Sequence, residues 1–222
     1  MNFKYLITDV DGVIFDRMPV YLSAITEVLK PFGFSKEAIR SYFYGSLGTP
    51  VGIQIKGILN RSGFDIGDGQ MERMLKEFWA ISAGNKTNLF PGVKETLEEM
   101  KSQGLFIMAS SGSNTDEIGR SFKEHGLPYD FYLGSDQVLK GDEHIKIFAG
   151  NFSLDLADFC RQAIFIGDGT TDMQIASRNG IFGIGITNTI PAEDLLSAGA
   201  KAVISNISEL SGYLRQEEES VF

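Results

Sequence analysis

Residues 4–16 read Lys4-Tyr5-Leu6-Ile7-Thr8-Asp9-Val10-Asp11-Gly12-Val13-Ile14-Phe15-Asp16. A short apolar run that stops at an acidic residue predicts a buried strand over 4–8. Two carboxylates two positions apart at a strand end point the same way, and Gly12 lets the chain turn sharply behind them. One carboxylate in that place can attack phosphorus to give an acyl phosphate, while the other, as an acid, protonates the leaving oxygen. Alone, an Asp-x-Asp pair is a weak signal, because surface turns often contain one.

Outward from this stretch the pattern changes twice. Over 17–86 the apolar residues fall at helical spacing near 17–30, 36–44, 50–60 and 70–83, with breaks at Pro31-Phe32-Gly33 and from Arg61 to Gly69. After Pro91-Gly92, helices are expected at 93–103, 114–125, 143–152, 172–178, 192–198 and from 208. They alternate with strands at 105–109, 130–134, 163–167, 182–186 and 201–204. Strands joined by helical crossovers run parallel, so the expected class is α/β: a Rossmann-like doubly wound sheet. Residues 1–16 and 87–222 form its core, and 17–86 form an inserted helical domain. In such sheets ligands bind beyond the carboxyl ends of the strands, so the polar residues that end each strand are the ones to inspect.

Two further strand ends carry chemistry. The strand at 105–109 runs into Ser110-Ser111-Gly112-Ser113-Asn114, whose hydroxyls and free N–H groups at a helix start suit a phosphate oxygen. An ordinary helix cap by Ser113 or Asn114 explains the same residues. The strand at 163–167 runs into Gly167-Asp168-Gly169-Thr170-Thr171-Asp172, hard oxygen donors of the kind Mg²⁺ takes. An acidic turn is the plain alternative.

Together the three strand ends resemble the haloacid dehalogenase superfamily of phosphohydrolases, over essentially the whole chain. The first motif is carried by Ile7 to Asp16, with Asp9-Val10-Asp11-Gly12 at its centre, and the last by Gly167 to Asp172. The resemblance implies Asp9 as nucleophile and magnesium ligand, and Asp11 as general acid and base with a ligating carbonyl. It implies Ser110 as the hydroxyl that holds the phosphoryl group, with Ser111 as alternative, and Gly12, Gly112 and Asn114 around the phosphate. Asp168 would complete the Mg²⁺ ligands, with Asp172 mostly behind them. A lysine should neutralise the site. Lys140, in the loop before a helix, is the better match and Lys146 the rival, because the Lys-Pro-x-Pro form seen in many relatives is missing. The insertion at 17–86 resembles the helical caps of phosphoglycolate phosphatase and β-phosphoglucomutase relatives. Tyr44-Gly45-Ser46-Leu47-Gly48-Thr49 is the candidate substrate-facing loop of that cap, and Arg17, Gln54 and Lys56 are polar candidates whose ordinary place is solvent.

Composition limits the partners. The net charge of −9 disfavours nucleic acid and anionic membrane, and no apolar run approaches spanning length. Asp9 comes too soon for a secretory leader, and the single Cys160, read as a small buried residue, fits a reducing cytoplasm. His125 and His144 have no partner at metal spacing and are expected at a helix end or on the surface. The expected partner is a small phosphorylated metabolite, bound by a monomer or homodimer. Hydrolysis through an aspartyl-phosphate is the leading activity. The alternatives are a sugar phosphomutase and a non-catalytic phospholigand-binding module, while dehalogenation fits poorly with a proton donor at Asp11.

Overall fold

The computed structural model describes residues 3–47, 49–83 and 88–219. The chain divides into two compact units, Met1–Phe15 with Leu89–Phe222, and Asp16–Asn88. The expected domain boundary at 86–87 falls outside the described residues.

The first unit is built on six strands, β1 Tyr5–Thr8, β2 Phe106–Ser110, β3 Phe131–Leu133, β4 Ala163–Gly167, β5 Phe182–Ile186 and β6 Ala202–Ile204. Their order is β3-β2-β1-β4-β5-β6, and every neighbouring pair is parallel. The central strands β1 and β4 are buried on both faces, which is why they read as apolar runs, while Phe131 and Tyr132 of edge strand β3 are exposed. Side chains alternate between the two faces: Leu6, Ile107, Ala109, Ile164 and Ile166 join one apolar cluster, and Tyr5, Ile7, Met108, Ala163 and Phe165 the other.

Helices α5 Val93–Ser102, α6 Thr115–His125 and α11 Leu210–Glu219 supply Val93, Leu97, Ile118, Phe122 and Leu210 to the first cluster. Helices α7 Asp142–Asn151, α8 Leu156–Arg161 and α9 Thr170–Asn179 supply Ile145, Phe148, Phe159, Cys160 and Ile175 to the second. The short α10, Ala192–Ser197, adds Leu195 to a small satellite cluster with Met173. Cys160 is buried as expected, and burial pushes its thiol up to about 11.

The second unit contains α1 Met18–Leu29, α2 Lys36–Tyr44, α3 Val51–Arg61 and α4 Asp68–Ala83. Ser35 caps α2 by accepting the Ala38 N–H at 3.1 Å. The apolar residues at helical spacing, such as Ile55, Ile58 and Leu59, form a separate core with Ile25, Phe43 and Phe78. Arg17 and Gln54 are buried rather than solvated, and Gln54 donates to the Ser46 carbonyl at 2.8 Å. Lys56 is exposed, as expected.

The chain leaves and re-enters the first unit side by side. Phe15 bridges Leu89 in antiparallel fashion, and the Phe90 N–H donates to the Ile14 carbonyl at 3.0 Å.

Candidate active site

The sheet order places β1 between β2 and β4, so the carboxyl ends of these three strands converge. This is the switch point of a doubly wound sheet, because the chain builds outward from β1 in both directions. Asp9 prolongs the ladder beyond β1, its N–H donating to the Ile166 carbonyl at 2.8 Å. Its carboxylate Oδ1 accepts the Val10 N–H at 2.7 Å. Its other oxygen pairs with Lys140 Nζ at 2.8 Å, and the same ammonium pairs with Asp172 Oδ1 at 2.6 Å. Lys140 is thus the lysine brought to the aspartates. Lys146 lies on the exposed side of α7, paired with Glu143 at 2.5 Å.

A hydroxyl relay positions that lysine. Ser135 Oγ donates to the Ser111 carbonyl at 3.0 Å and accepts the Lys140 N–H at 2.9 Å, tying the lysine's loop to the end of β2. Ser111 is buried, and its own hydroxyl oxygen accepts the Ser113 N–H at 3.0 Å. Ser113, one of the two candidate helix caps, donates to Asp11 Oδ2 at 2.6 Å. Asn114 is the cap of α6, accepting the Asp116 N–H at 2.9 Å, so its carbonyl oxygen is committed there. Gly112 is half-buried in the same loop.

Ser110 is buried and lies 2.8 Å from Nδ1 of His144. His144 lies in the first turn of α7 but is fully buried, which corrects the expectation of a surface residue. Its partner sits 34 positions earlier in the chain, so no local spacing marks it. His125 does take a helix-end role, its ring 2.8 Å from the Ser121 carbonyl.

At the end of β4, Asp168 is buried and accepts the Thr189 hydroxyl on Oδ2. Asp172, the third residue of α9, accepts the Gly169 N–H at 3.1 Å on its second oxygen. Gly12 sits at φ +91°, and a Cβ there would lie 1.9 Å from Asp168 Oδ2. The Asn188 amide donates to the Gly12 carbonyl at 2.8 Å, fixing the turn from outside. Asn188 and Thr189 follow β5, and applying the strand-end rule to that strand too would have found them.

The second unit holds the remaining candidates. Tyr44 ends α2, with its ring edge-on to Phe43 at 5.3 Å between centroids and the Arg40 guanidinium 5.5 Å from its centre. Gly45 follows, its N–H donating to the Ser41 carbonyl at 3.1 Å. Gly48 lies outside the described residues.

A model of the haloacid dehalogenase-like hydrolase family matches residues 6–186. The chain belongs to that family. A phosphoglycolate phosphatase from Mannheimia succiniciproducens is 24% identical over 197 residues, covering 84% of this chain and 86% of the relative. A hydrolase structure from Pseudomonas syringae superposes with a TM-score of 0.79 at 21% identity, over 96% of this chain and 98% of that one. A protein from Bacteroides vulgatus proposed to be a β-phosphoglucomutase has the same TM-score and identity, over 98% and 89%.

Charge balance decides whether these residues suit a divalent cation. One carboxylate oxygen from each of Asp9, Asp168 and Asp172 lies within 4.8 Å of the other two, and all three residues are buried. Burial raises Asp9 well above the usual carboxylate range, Lys140 opposes this, and Asp172 and Asp168 reinforce it. Burial, then Asp172, push Asp168 up to about 7. Burial alone would lower Lys140, but Asp172 and Asp9 more than reverse it and hold the ammonium charged. One ammonium against three carboxylates leaves a negative excess that a hard cation with oxygen ligands offsets, so the donor set fits Mg²⁺. Among the described residues no helix is long and apolar enough to cross a membrane.

Proposed function

We propose that this phosphoric monoester hydrolase works through Asp9 as nucleophile, on a small phosphate ester of the phosphoglycolate or sugar phosphate kind, with Mg²⁺ and in the cytoplasm. The observation that carries this reading is the buried Asp9 carboxylate, held by Lys140 at 2.8 Å beside Asp168 and Asp172. Mg²⁺ would be held by Asp9, Asp168 and the Asp11 carbonyl, with Asp172 behind them, and would neutralise charge on the phosphoryl oxygens.

Lys140 and Ser110 orient the phosphoryl group, Lys140 by charge and Ser110 by its hydroxyl. Asp9 attacks phosphorus; the bond to the leaving oxygen breaks as that oxygen takes the proton of Asp11. Asp11 then removes a proton from water, which attacks the aspartyl-phosphate and frees inorganic phosphate and Asp9. The Ser113 hydroxyl at 2.6 Å holds Asp11 in place for both transfers. The helical unit is read as a cap that excludes bulk water and selects the substrate, with Tyr44 and Gly45 in its substrate-facing loop. The naming of relatives as phosphoglycolate phosphatases supports water, rather than a sugar hydroxyl, as the acceptor.

The test is phosphate release from a panel of phosphorylated metabolites with Mg²⁺, wild type beside Asp9→Asn. The wild type releases phosphate and the variant does not. Equal release from both would overturn the reading, and isomerised sugar phosphate in place of free phosphate would replace it with a mutase.

A further inference from the structure

The contact between Ser110 and His144 constrains where hydrogens can be. His144 Nε2 lies 2.8 Å from the Val138 carbonyl oxygen, which can only accept, so Nε2 carries a hydrogen. In a neutral ring Nδ1 then has only a lone pair, and the Ser110 hydroxyl, 2.8 Å away, donates to it. That bond turns the Ser110 hydrogen toward the imidazole. An incoming phosphoryl oxygen would meet serine lone pairs, which repel it. If the hydroxyl simply rotated toward the phosphate, the lone pairs of Ser110 and Nδ1 would face each other at hydrogen-bond distance. A second proton on the ring removes the conflict, because Nδ1–H then donates to Ser110 Oγ and the serine hydrogen is free for the phosphate.

We propose that His144 takes up a proton as a phosphate group binds at Ser110, switching the serine hydroxyl from imidazole to phosphate. This rests on the reading of Ser110 as the phosphoryl holder. The proton comes from water or buffer and returns there when phosphate leaves; Ser110 keeps its own hydrogen and forms no covalent bond. His144 is therefore a positioning residue that acts through Ser110.

The surroundings agree with a ring that is neutral until an anion arrives. Burial lowers the imidazole below the ordinary histidine range, and the charge of Lys140 lowers it further. The Val138 and Gly134 carbonyls and the Asp136 carboxylate act in the opposite sense. A bound dianion adds to that second group.

Sulfate tests this, because it has the shape of phosphate and stays a dianion throughout the range used. His125 and His144 are the two histidines of the chain, so ring ¹⁵N NMR resolves both. With Mg²⁺ present, saturating sulfate is expected to move the His144 Nδ1 resonance from the lone-pair to the protonated position. The wild-type sulfate Kd should weaken by up to about tenfold per pH unit where the free ring is neutral. His144→Asn puts an amide donor near the Nδ1 position without needing a proton, so its Kd should be flatter with pH. If Ser110→Ala weakens sulfate binding but His144 stays neutral with sulfate bound, the proton uptake is refuted while the phosphate site stands. If Ser110→Ala leaves sulfate affinity unchanged, both fall together.

Discussion

Gly12→Ala tests how tightly the turn behind the proposed nucleophile, Asp9, is built against a proposed metal ligand, Asp168. The new Cβ would lie 1.9 Å from Asp168 Oδ2 and 2.4 Å from its Cγ. Ordinary non-bonded contacts lie at about 3.5 Å, so turn and carboxylate must separate by more than about 1 Å. Neither can move freely. Asp168 is buried and takes the Thr189 hydroxyl, while Gly12 donates to the Phe15 carbonyl at 2.9 Å and accepts from Asn188 at 2.8 Å. The φ of +91° adds left-handed strain of about 1–2 kcal/mol for alanine. At about 2–4 °C per kcal/mol for a chain of this size, Tm should fall by roughly 2–8 °C. A misplacement of about 1 Å at a reacting centre costs about a hundredfold, so kcat/KM should drop by at least that, about 2.7 kcal/mol of barrier. Phosphate release under kcat/KM conditions reads this, with a Mg²⁺ titration alongside to show a raised half-saturation. A variant with kcat/KM within about threefold of wild type would refute the claim that Gly12 and Asp168 are locked together.

Lys140→Met leaves Asp9 and Asp172 buried without their cation; it should cost about 3–5 kcal/mol in denaturant unfolding and at least a hundredfold in turnover. Lys146→Met removes only an exposed pair, so its stability should stay within about 1 kcal/mol and its turnover near wild type. Ser113→Ala should lower kcat by about tenfold with little change in KM, because the lost hydrogen bond orients Asp11 rather than binding substrate. Asp168 sets a pH dependence in protein stripped with chelator. Its folded value, about 7, lies above its unfolded one, so its contribution is full below about pH 4 and is lost as pH rises through 7. That loss amounts to as much as about 4 kcal/mol at 1.36 kcal/mol per pH unit. His144, lowered rather than raised, works oppositely, losing its contribution as pH falls below about 6.5. Added Mg²⁺ should therefore raise Tm more at pH 7.5 than at pH 5, and an equal rise at both would refute it.

Much of the core was readable because the buried strands of a parallel sheet leave apolar runs that stop at the polar residues proposed for the site. Asp9, Ser110 and Asp168 each stand at or just past the end of such a run. Boundaries moved by a residue or two, as where α9 starts at Thr170 instead of 172. The six-residue helix at Leu156–Arg161 was not expected from the sequence. The supporting shell was hidden for a different reason. Arg17, Gln54 and His144 are polar residues on helices or at a helix start, where local pattern alone suggests solvent, yet all three are buried, and His144 meets Ser110 34 positions away. Lys140 was favoured over Lys146 because it sits in a loop, but what holds it is the Ser135 hydroxyl, which no motif names.

The Phe15–Leu89 bridge has a consequence for how such a protein can diverge. The core ties the two ends of the insertion together with its own hydrogen bonds, so from its side the 73 residues between, Asp16 to Asn88, are one closed loop. Closing a loop twice as long costs only about 0.6 kcal/mol more. As far as loop closure is concerned, the insert can therefore lengthen or shorten at little thermodynamic cost to the sheet. A change of length there is felt little by the core, whereas the strand ends are held in register by their neighbours. Loop closure thus sets a much looser limit on the length of the insert than pairing sets on the strands.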